Sequence, residues 1–311
     1  MPQETLRYVS ECGLSGEADL SIFSSVLKAA GDNAEGDVVK ELGGLLNNPK
    51  AKAYVSTVGQ KLVSGSQRQG AYTFDIIKNK QVNAFALPNG SVYVTEGLLR
   101  MLRTEAQLAN VMGHEVGHVD RDHGMKQFGM DFVAQAGGAL AQLFAGGDSE
   151  ARKKAKEMAT SVISNGYSQE LENQADEIGQ KFAYMAGWDP QGMIDIMTIF
   201  VSLEKGPKLT GIEAYTRSHP YAEDRLALAK QRVASAYTKG GDSGADRYKA
   251  FLADAFSVSP NEAALSPAQA AVKGTFMVSS GGGDGGVLVP ALAIGGVAVL
   301  VLVAVYLYLK E

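Results

Sequence analysis

The sequence predicts an α+β, mainly helical domain with one small antiparallel sheet, followed by a C-terminal helix that crosses a membrane. Three observations carry this expectation. Apolar residues recur at helical spacing over most of the chain, the period shifts to two only between Tyr72 and Thr95, and Val287 to Leu309 is one apolar run without a charged residue. With 311 residues and 45% hydrophobic content, the chain is long enough to bury a sizeable core.

The segments Ala18 to Ala30, Asp37 to Leu46 and Ala51 to Val63 read as three helices, divided by Gly31 to Gly36 and by Asn47 to Pro49. Tyr72, Phe74 and Ile76 then alternate with polar neighbours. Val82 to Leu87 follows, and Ser91 to Thr95 lies beyond a turn at Pro88, Asn89 and Gly90 that suits a tight hairpin. Thr104 with Gln107 matches a capping box, which starts a helix running to about His123. Met125 to Ala145, rich in Ala and Gly, reads as a closely packed helix or a roof over a site. A long helix is expected from Ser149 to Met185, ended by Gly187 to Pro190, with further helices over Gln191 to Glu204 and Tyr221 to Tyr237. After the loop Gly240 to Asp246, Arg247 to Phe256 forms a satellite helix.

A soluble domain is thus expected over residues 1–256, with its catalytic core at about 70–237, then a Gly/Ser-rich tether over 257–286 and a transmembrane helix over 287–309. Pro290 falls in the first turn of that helix, where a missing amide donor costs little. The alternative for Val287 to Leu309 is a buried core helix. Lys273 and Lys310 balance across it, so a single-pass C-terminal anchor in the lipid bilayer is expected without an assigned side. The first twenty residues lack a basic stretch followed by an apolar one, so they do not read as a secretory leader. Cys12 has no partner for an internal disulfide, and Val9, Ser10 and Glu11 before it do not suit a lipid-attachment signal. The net charge of -5 and the lack of a Lys/Arg block argue against nucleic acid as a partner.

The chemistry concentrates in Gly113, His114, Glu115, Val116, Gly117 and His118. On a helix, positions i and i+4 share a face, so both imidazoles reach one cation while Glu115 points at a metal-bound water. Zinc takes nitrogen donors and lowers the pKa of water toward 7, and a carboxylate is the base such chemistry needs. Gly113 and Gly117 each cost a helix about 1 kcal/mol relative to alanine, which predicts a close neighbour. A catalytic zinc needs a third protein ligand. One class supplies a histidine six residues on, after a glycine; here Arg121 and Gly124 stand where that glycine and histidine belong. The other route is an acid from a later helix. Glu172 with Asp176 forms an i, i+4 pair in which Glu172 binds metal and Asp176 accepts the spare N–H of a ligand histidine, with Glu170 and Glu177 as competitors for the ligand role. His123 reads as a structural or supporting residue. Arg225 either pairs with a carboxylate near the site or anchors a helix start.

The HEVGH helix, the LENQADEIG segment and SHPYAEDR together resemble the membrane-associated gluzincin peptidases typified by the CAAX prenyl endopeptidase, the heat-shock protease HtpX and periplasmic outer-membrane quality-control proteases, over about Val82 to Leu226. The resemblance implies a zincin-type domain with one Zn2+ per chain, held by His114, His118 and Glu172, with Glu115 as general base and Asp176 as the partner behind a ligand. It implies that His219, beside Pro220, faces the metal as a transition-state stabiliser or as a fourth ligand. It also implies that a strand just before the metal helix receives an extended substrate; Ser91 to Thr95, with Val92, Tyr93 and Val94, could offer that edge. The family's integral members have several membrane helices, so the likeness is closer to its soluble-domain branch. The expected function is a zinc metalloendopeptidase acting on unfolded or damaged polypeptides, in particular membrane or envelope proteins. The alternative is a factor that holds or escorts envelope proteins, with gated or dispensable proteolysis; a third reading is a purely structural zinc.

Overall fold

The computed structural model describes residues 34–66, 68, 72–124, 166–205, 213–237 and 239–258, with positions 28, 31, 32 and 153. The elements expected over 18–30 apart from Lys28, over 125–145 and over Val287 to Leu309 lie outside the described residues, as do Cys12 and the tether beyond 258. Among the described residues no helix is long and apolar enough to cross a membrane.

Residues 31, 32 and 34–41 are helical, so the described part of Gly31 to Gly36, expected to divide two helices, is helical, and the helix expected over Asp37 to Leu46 ends early. Gly43 and Gly44 end it with φ of 119° and 77°, values open to glycine. The chain is thereby turned along the sheet, where Leu46 N–H donates to Ile76 O at 2.8 Å and Lys78 N–H to Gly44 O at 2.8 Å. Helix α1 (Pro49–Leu62) starts at Asn48, whose side chain accepts from Ala51 N–H, with proline at the first turn. Its buried face includes Gly59, where an added Cβ would lie 2.4 Å from the Phe74 ring, so α1 rests directly on the sheet.

The sheet is mixed rather than antiparallel. Strands β1 (Thr73–Ile77), β2 (Ala84–Ala86) and β3 (Ser91–Thr95) lie in the order β1-β3-β2, with β1 parallel to β3 and β2 antiparallel to it. The β2–β3 hairpin forms as expected: Gly90 N–H donates to Leu87 O at 2.9 Å and Gly90 takes φ 99°. The sequence misleads about β1. The connection over 78–83 carries the chain past the place of β3, and all five residues of SVYVT are buried, as befits a central strand. Both sides of β3 are therefore occupied. Val92, Tyr93 and Val94 cannot offer a free edge; among the described strands the outer ones are β1, bridged at Ile77 by Leu45, and β2.

The strand β3 runs straight into α2 (Glu96–Met101), capped by Thr95. Helix α3 (Glu105–Asp120) begins at the capping box of Thr104 and Gln107, and every residue from Glu105 to Val119 is buried. Of the helix expected over Ser149 to Met185, residues 149–152 and 154–165 lie outside the described ones; Gly166 has φ 70°, Ser168 caps, and α4 spans Gln169–Met185. Then follow α5 (Gln191–Lys205), α6 (Glu213–Ser218), α7 (Ala222–Ala236) and α8 (Ala245–Phe256). Helices α2 and α6, six residues each, are too short to show a helical period in the sequence.

Helices α3 and α4 cross at Gly113 and Gly179, where neither carries a side chain. A Cβ on Gly113 would lie 2.8 Å from Gly179 O, and one on Gly117 would lie 3.0 Å from Ala175 O. The close neighbour that two glycines predict is thus the α4 backbone. At its start, α3 is moored by Glu105, whose carboxylate accepts from Tyr54 Oη at 2.6 Å, Trp188 Nε1 at 2.7 Å and Arg247 Nη2 at 2.9 Å. One buried acid thereby joins α1, the turn after α4, and α8.

Candidate metal centre

The four histidines of the chain all meet here. His114 and His118 project from one face of α3, Glu172 comes from the first turn of α4, and His219 from the loop between α6 and α7. The His219 N–H donates to Tyr215 O at 2.7 Å and its ring lies over that of Tyr215 at 4.6 Å. Tyr221, two residues on, takes a left-handed φ of 69°, unusual for a bulky side chain. The turn lets Arg225 Nη1 donate back to His219 O at 3.3 Å.

The donor atoms crowd one point. His114 Nε2 is 2.9 Å from His118 Nε2 and 3.4 Å from Glu172 Oε2. His118 Nε2 is 3.3 Å from Glu172 Oε1. His219 Nδ1 is 3.2 Å from His114 Nε2 and 3.4 Å from Glu172 Oε2. Tetrahedral donors about 2.0–2.1 Å from a zinc ion stand roughly 3.3 Å from one another, so these spacings suit one metal ion. His114, His118, Glu172 and His219 are all buried and form a group able to hold one.

Two further observations test the fit. Among the described residues neither oxygen of Glu172 has a hydrogen-bond partner, and neither does Glu115 Oε1, although both side chains are buried. Arg225 Nη1 approaches Glu172 Oε2 to 2.6 Å as an ion pair, without hydrogen-bond alignment. Orphaned buried carboxylate oxygens are costly unless a cation serves them. The charges agree. Glu115, Glu172 and Asp176 face one buried guanidinium, Arg225, leaving two negative charges that a divalent cation would cancel. The residues fit a metal ion.

Behind the donors, each ring is fixed from outside. His114 Nδ1 lies 2.8 Å from Asp176 Oδ1, and Asp176 receives Arg225 as a fork, Nε to Oδ2 at 2.8 Å and Nη2 to Oδ1 at 2.7 Å. Arg225 pairs with the acids of α4 and also donates to the carbonyls of His219 and Pro220 just before α7. His118 Nδ1 lies 2.9 Å from His123 Nδ1, and the Tyr167 ring stacks on His118 with centroids 4.0 Å apart.

Electrostatically the cluster draws positive charge. Burial pushes His118 down to about 3, helped by His114 beside it. Burial also opposes charge on His114, but Glu172 and Asp176 outweigh it, and Arg225, to raise it to about 9. Burial raises Glu115, the direction a general base needs. For Glu172, Arg225 and the histidines overcome burial and hold the carboxyl well below its usual range.

The arrangement brings together His114, Glu115, His118, Glu172, Asp176, His219 and Arg225, all named from the sequence. The competing acids Glu170 and Glu177 are exposed on α4, away from the buried donors. Tyr167 and Gln174 escape sequence reasoning, because an aromatic ring and an amide carry no spacing signal. Val92, Tyr93 and Val94 stand in the sheet centre. Ala84 on β2 is the strand residue at the site, its carbonyl 3.3 Å from His219 Nε2.

The chain is similar to known proteases. The chain is 28% identical over 206 residues to the beta-barrel assembly-enhancing protease of Escherichia coli (strain K12), a match covering 63% of this chain and 42% of that protein. It is 26% identical over 170 residues to the metalloprotease YcaL of the same organism, covering 52% of this chain and 62% of that one. The mitochondrial metalloendopeptidase OMA1 of Arabidopsis thaliana is 29% identical over 158 residues, 50% of this chain and 30% of the relative. The chain thus spans less than half the length of the first of these. Residues 49–233, more than half of the sequence and the part that holds every donor described above, match peptidase family M48, and the chain belongs to that family.

Proposed function

We propose that this protein is a zinc-dependent endopeptidase that hydrolyses peptide bonds of unfolded or damaged polypeptides. The observation that carries the reading is the pairing of three donors from two helices, His114, His118 and Glu172, with a buried carboxylate, Glu115, whose Oε1 has no hydrogen-bond partner among the described residues. Zinc held there supplies Lewis acidity, lowering the pKa of water toward 7 and polarising a carbonyl. Glu115 takes the proton of the attacking water and passes it to the leaving nitrogen. His219, 3.5 Å from Glu115 through Nε2 and beside His114 through Nδ1, either stabilises the transition state or serves as a removable fourth ligand. Asp176 and Arg225 hold His114 in place.

An extended substrate would add to the free edge of β2, near His219, giving main-chain recognition tolerant of sequence. The name of the relative that enhances beta-barrel assembly supports envelope proteins as substrates, and the apolar run Val287 to Leu309 supports a single-pass membrane anchor. Four protein donors also describe a purely structural zinc, and that reading predicts no activity at all. Hydrolysis of unfolded casein by the wild-type chain separates the two, and Glu115→Gln then tests the base. It should retain zinc and lose hydrolysis of unfolded casein, whereas undiminished hydrolysis in that variant would remove Glu115 from the mechanism.

A further inference from the structure

The two histidines of α3 are supported unequally. His114 is backed by a carboxylate, Asp176, itself neutralised by Arg225. His118 is backed by a second imidazole: its Nδ1 lies 2.9 Å from His123 Nδ1, and His123 Nε2 lies 3.2 Å from Gln174 Oε1 on α4. His123 is 0% exposed and contributes no donor to the cluster. It is reached by a turn at Asp122, whose φ of 50° is left-handed, so the chain adopts an uncommon backbone conformation just before this ring.

We infer that His123 is a positioning residue for the metal, fixing the tautomer and orientation of His118 through a chain of neutral hydrogen bonds that ends on α4. The direction of each bond follows by elimination. His118 presents Nε2 to the metal, so its proton sits on Nδ1 and is donated to His123 Nδ1. His123 then carries its proton on Nε2 and donates it to Gln174 Oε1, while Gln174 Nε2 donates to Glu170 Oε1 at 3.4 Å. Every group is used in a role its chemistry allows. A neutral partner is also the choice the charges favour: Glu115, Glu172 and Asp176 already bring three buried carboxylates, and a fourth behind His118 would need a further cation. Tyr167 closes the face of His118, so that ring is held at both nitrogens and from one side. Because Gln174 and Glu172 share the first turns of α4, the chain also ties His118 to the helix that supplies the third donor.

The inference rests on His118 being a zinc ligand, and the test separates the two. Zinc affinity is measured by chelator competition on the full chain, with long-range ¹H–¹⁵N spectra of the zinc-loaded protein reporting which ring nitrogens carry protons. His123→Ala should weaken zinc binding about 10- to 100-fold, as loss of such a partner typically does. His123→Asn, which keeps an oxygen where Nδ1 stood, should restore most of it. The spectra should show a proton on Nδ1 of His118 and on Nε2 of His123. Wild-type affinity in His123→Ala, or a proton on Nδ1 of His123, overturns the inference while leaving the zinc site intact. Failure of the wild-type chain to bind zinc overturns both. Should His123→Ala not fold, His123→Asn and the wild-type spectra decide the matter.

Discussion

Gly179 lies against His114 so closely that a Cβ added to the glycine would stand 2.6 Å from the His114 amide nitrogen. The contact brings the backbones of α3 and α4 together and sets Glu172, two turns earlier on α4, over the two imidazoles. Helix packing and metal geometry are thus one constraint.

Gly179→Ala should therefore damage both. Forcing a methyl into that contact should cost about 1–3 kcal/mol of stability, as overpacking does. Zinc affinity should fall together with it, because the helices must part. Thermal unfolding and zinc titration on the same preparation check this; a variant as stable and as tight as wild type would show that the crossing has slack.

Asp176→Asn preserves shape and removes charge. Arg225 stays buried with only Glu172 to balance it, and a broken buried pair costs about 3 kcal/mol or more. His114 also loses its anionic partner, so zinc should bind about 10- to 100-fold more weakly. Denaturant unfolding of metal-stripped protein isolates the first effect, and chelator competition reads the second.

Glu105 makes stability depend on pH. Burial alone would raise its pKa, but donors from Arg247, Tyr54 and Trp188 lower it below the usual carboxylate value. A group held down in the folded state contributes stability above its unfolded pKa of about 4.3, and that contribution is lost as pH falls through the lower folded value. Glu105→Gln should cost about 1–3 kcal/mol at neutral pH, and the deficit should shrink in acid. Urea unfolding of chelator-treated protein across that range tests the sign.

His219→Ala should keep zinc, since His114, His118 and Glu172 remain, yet lose activity about 100-fold or more if His219 stabilises developing charge. A faster enzyme would instead mark His219 as a ligand that closes the site. Loss of zinc would mean that three donors do not suffice.

Much of the site is legible in the sequence because helical spacing encodes it. His114 and His118, and again Glu172 and Asp176, are i, i+4 pairs, and two glycines at i, i+4 announce the close crossing that joins them. The surroundings of His118 are not legible: the stacking of Tyr167 on its ring and the hydrogen bond of His123 to Gln174 depend on how segments far apart in the sequence pack. The sheet is legible as strands but not as an order, since alternation reveals faces and not neighbours. The central position of β3 is set by where the 78–83 connection leads. Short helices such as α2 and α6 give too few residues for a period to show.

The most direct test is the metal content of the purified full chain, measured alongside that of Glu172→Ala. One zinc per chain in the parent, largely lost in the variant, with X-ray absorption distances near 2.0–2.1 Å to nitrogen and oxygen, is the predicted result. A parent without stoichiometric metal, or a Glu172→Ala variant that retains it in full, would contradict the assignment of the two helices to one ion.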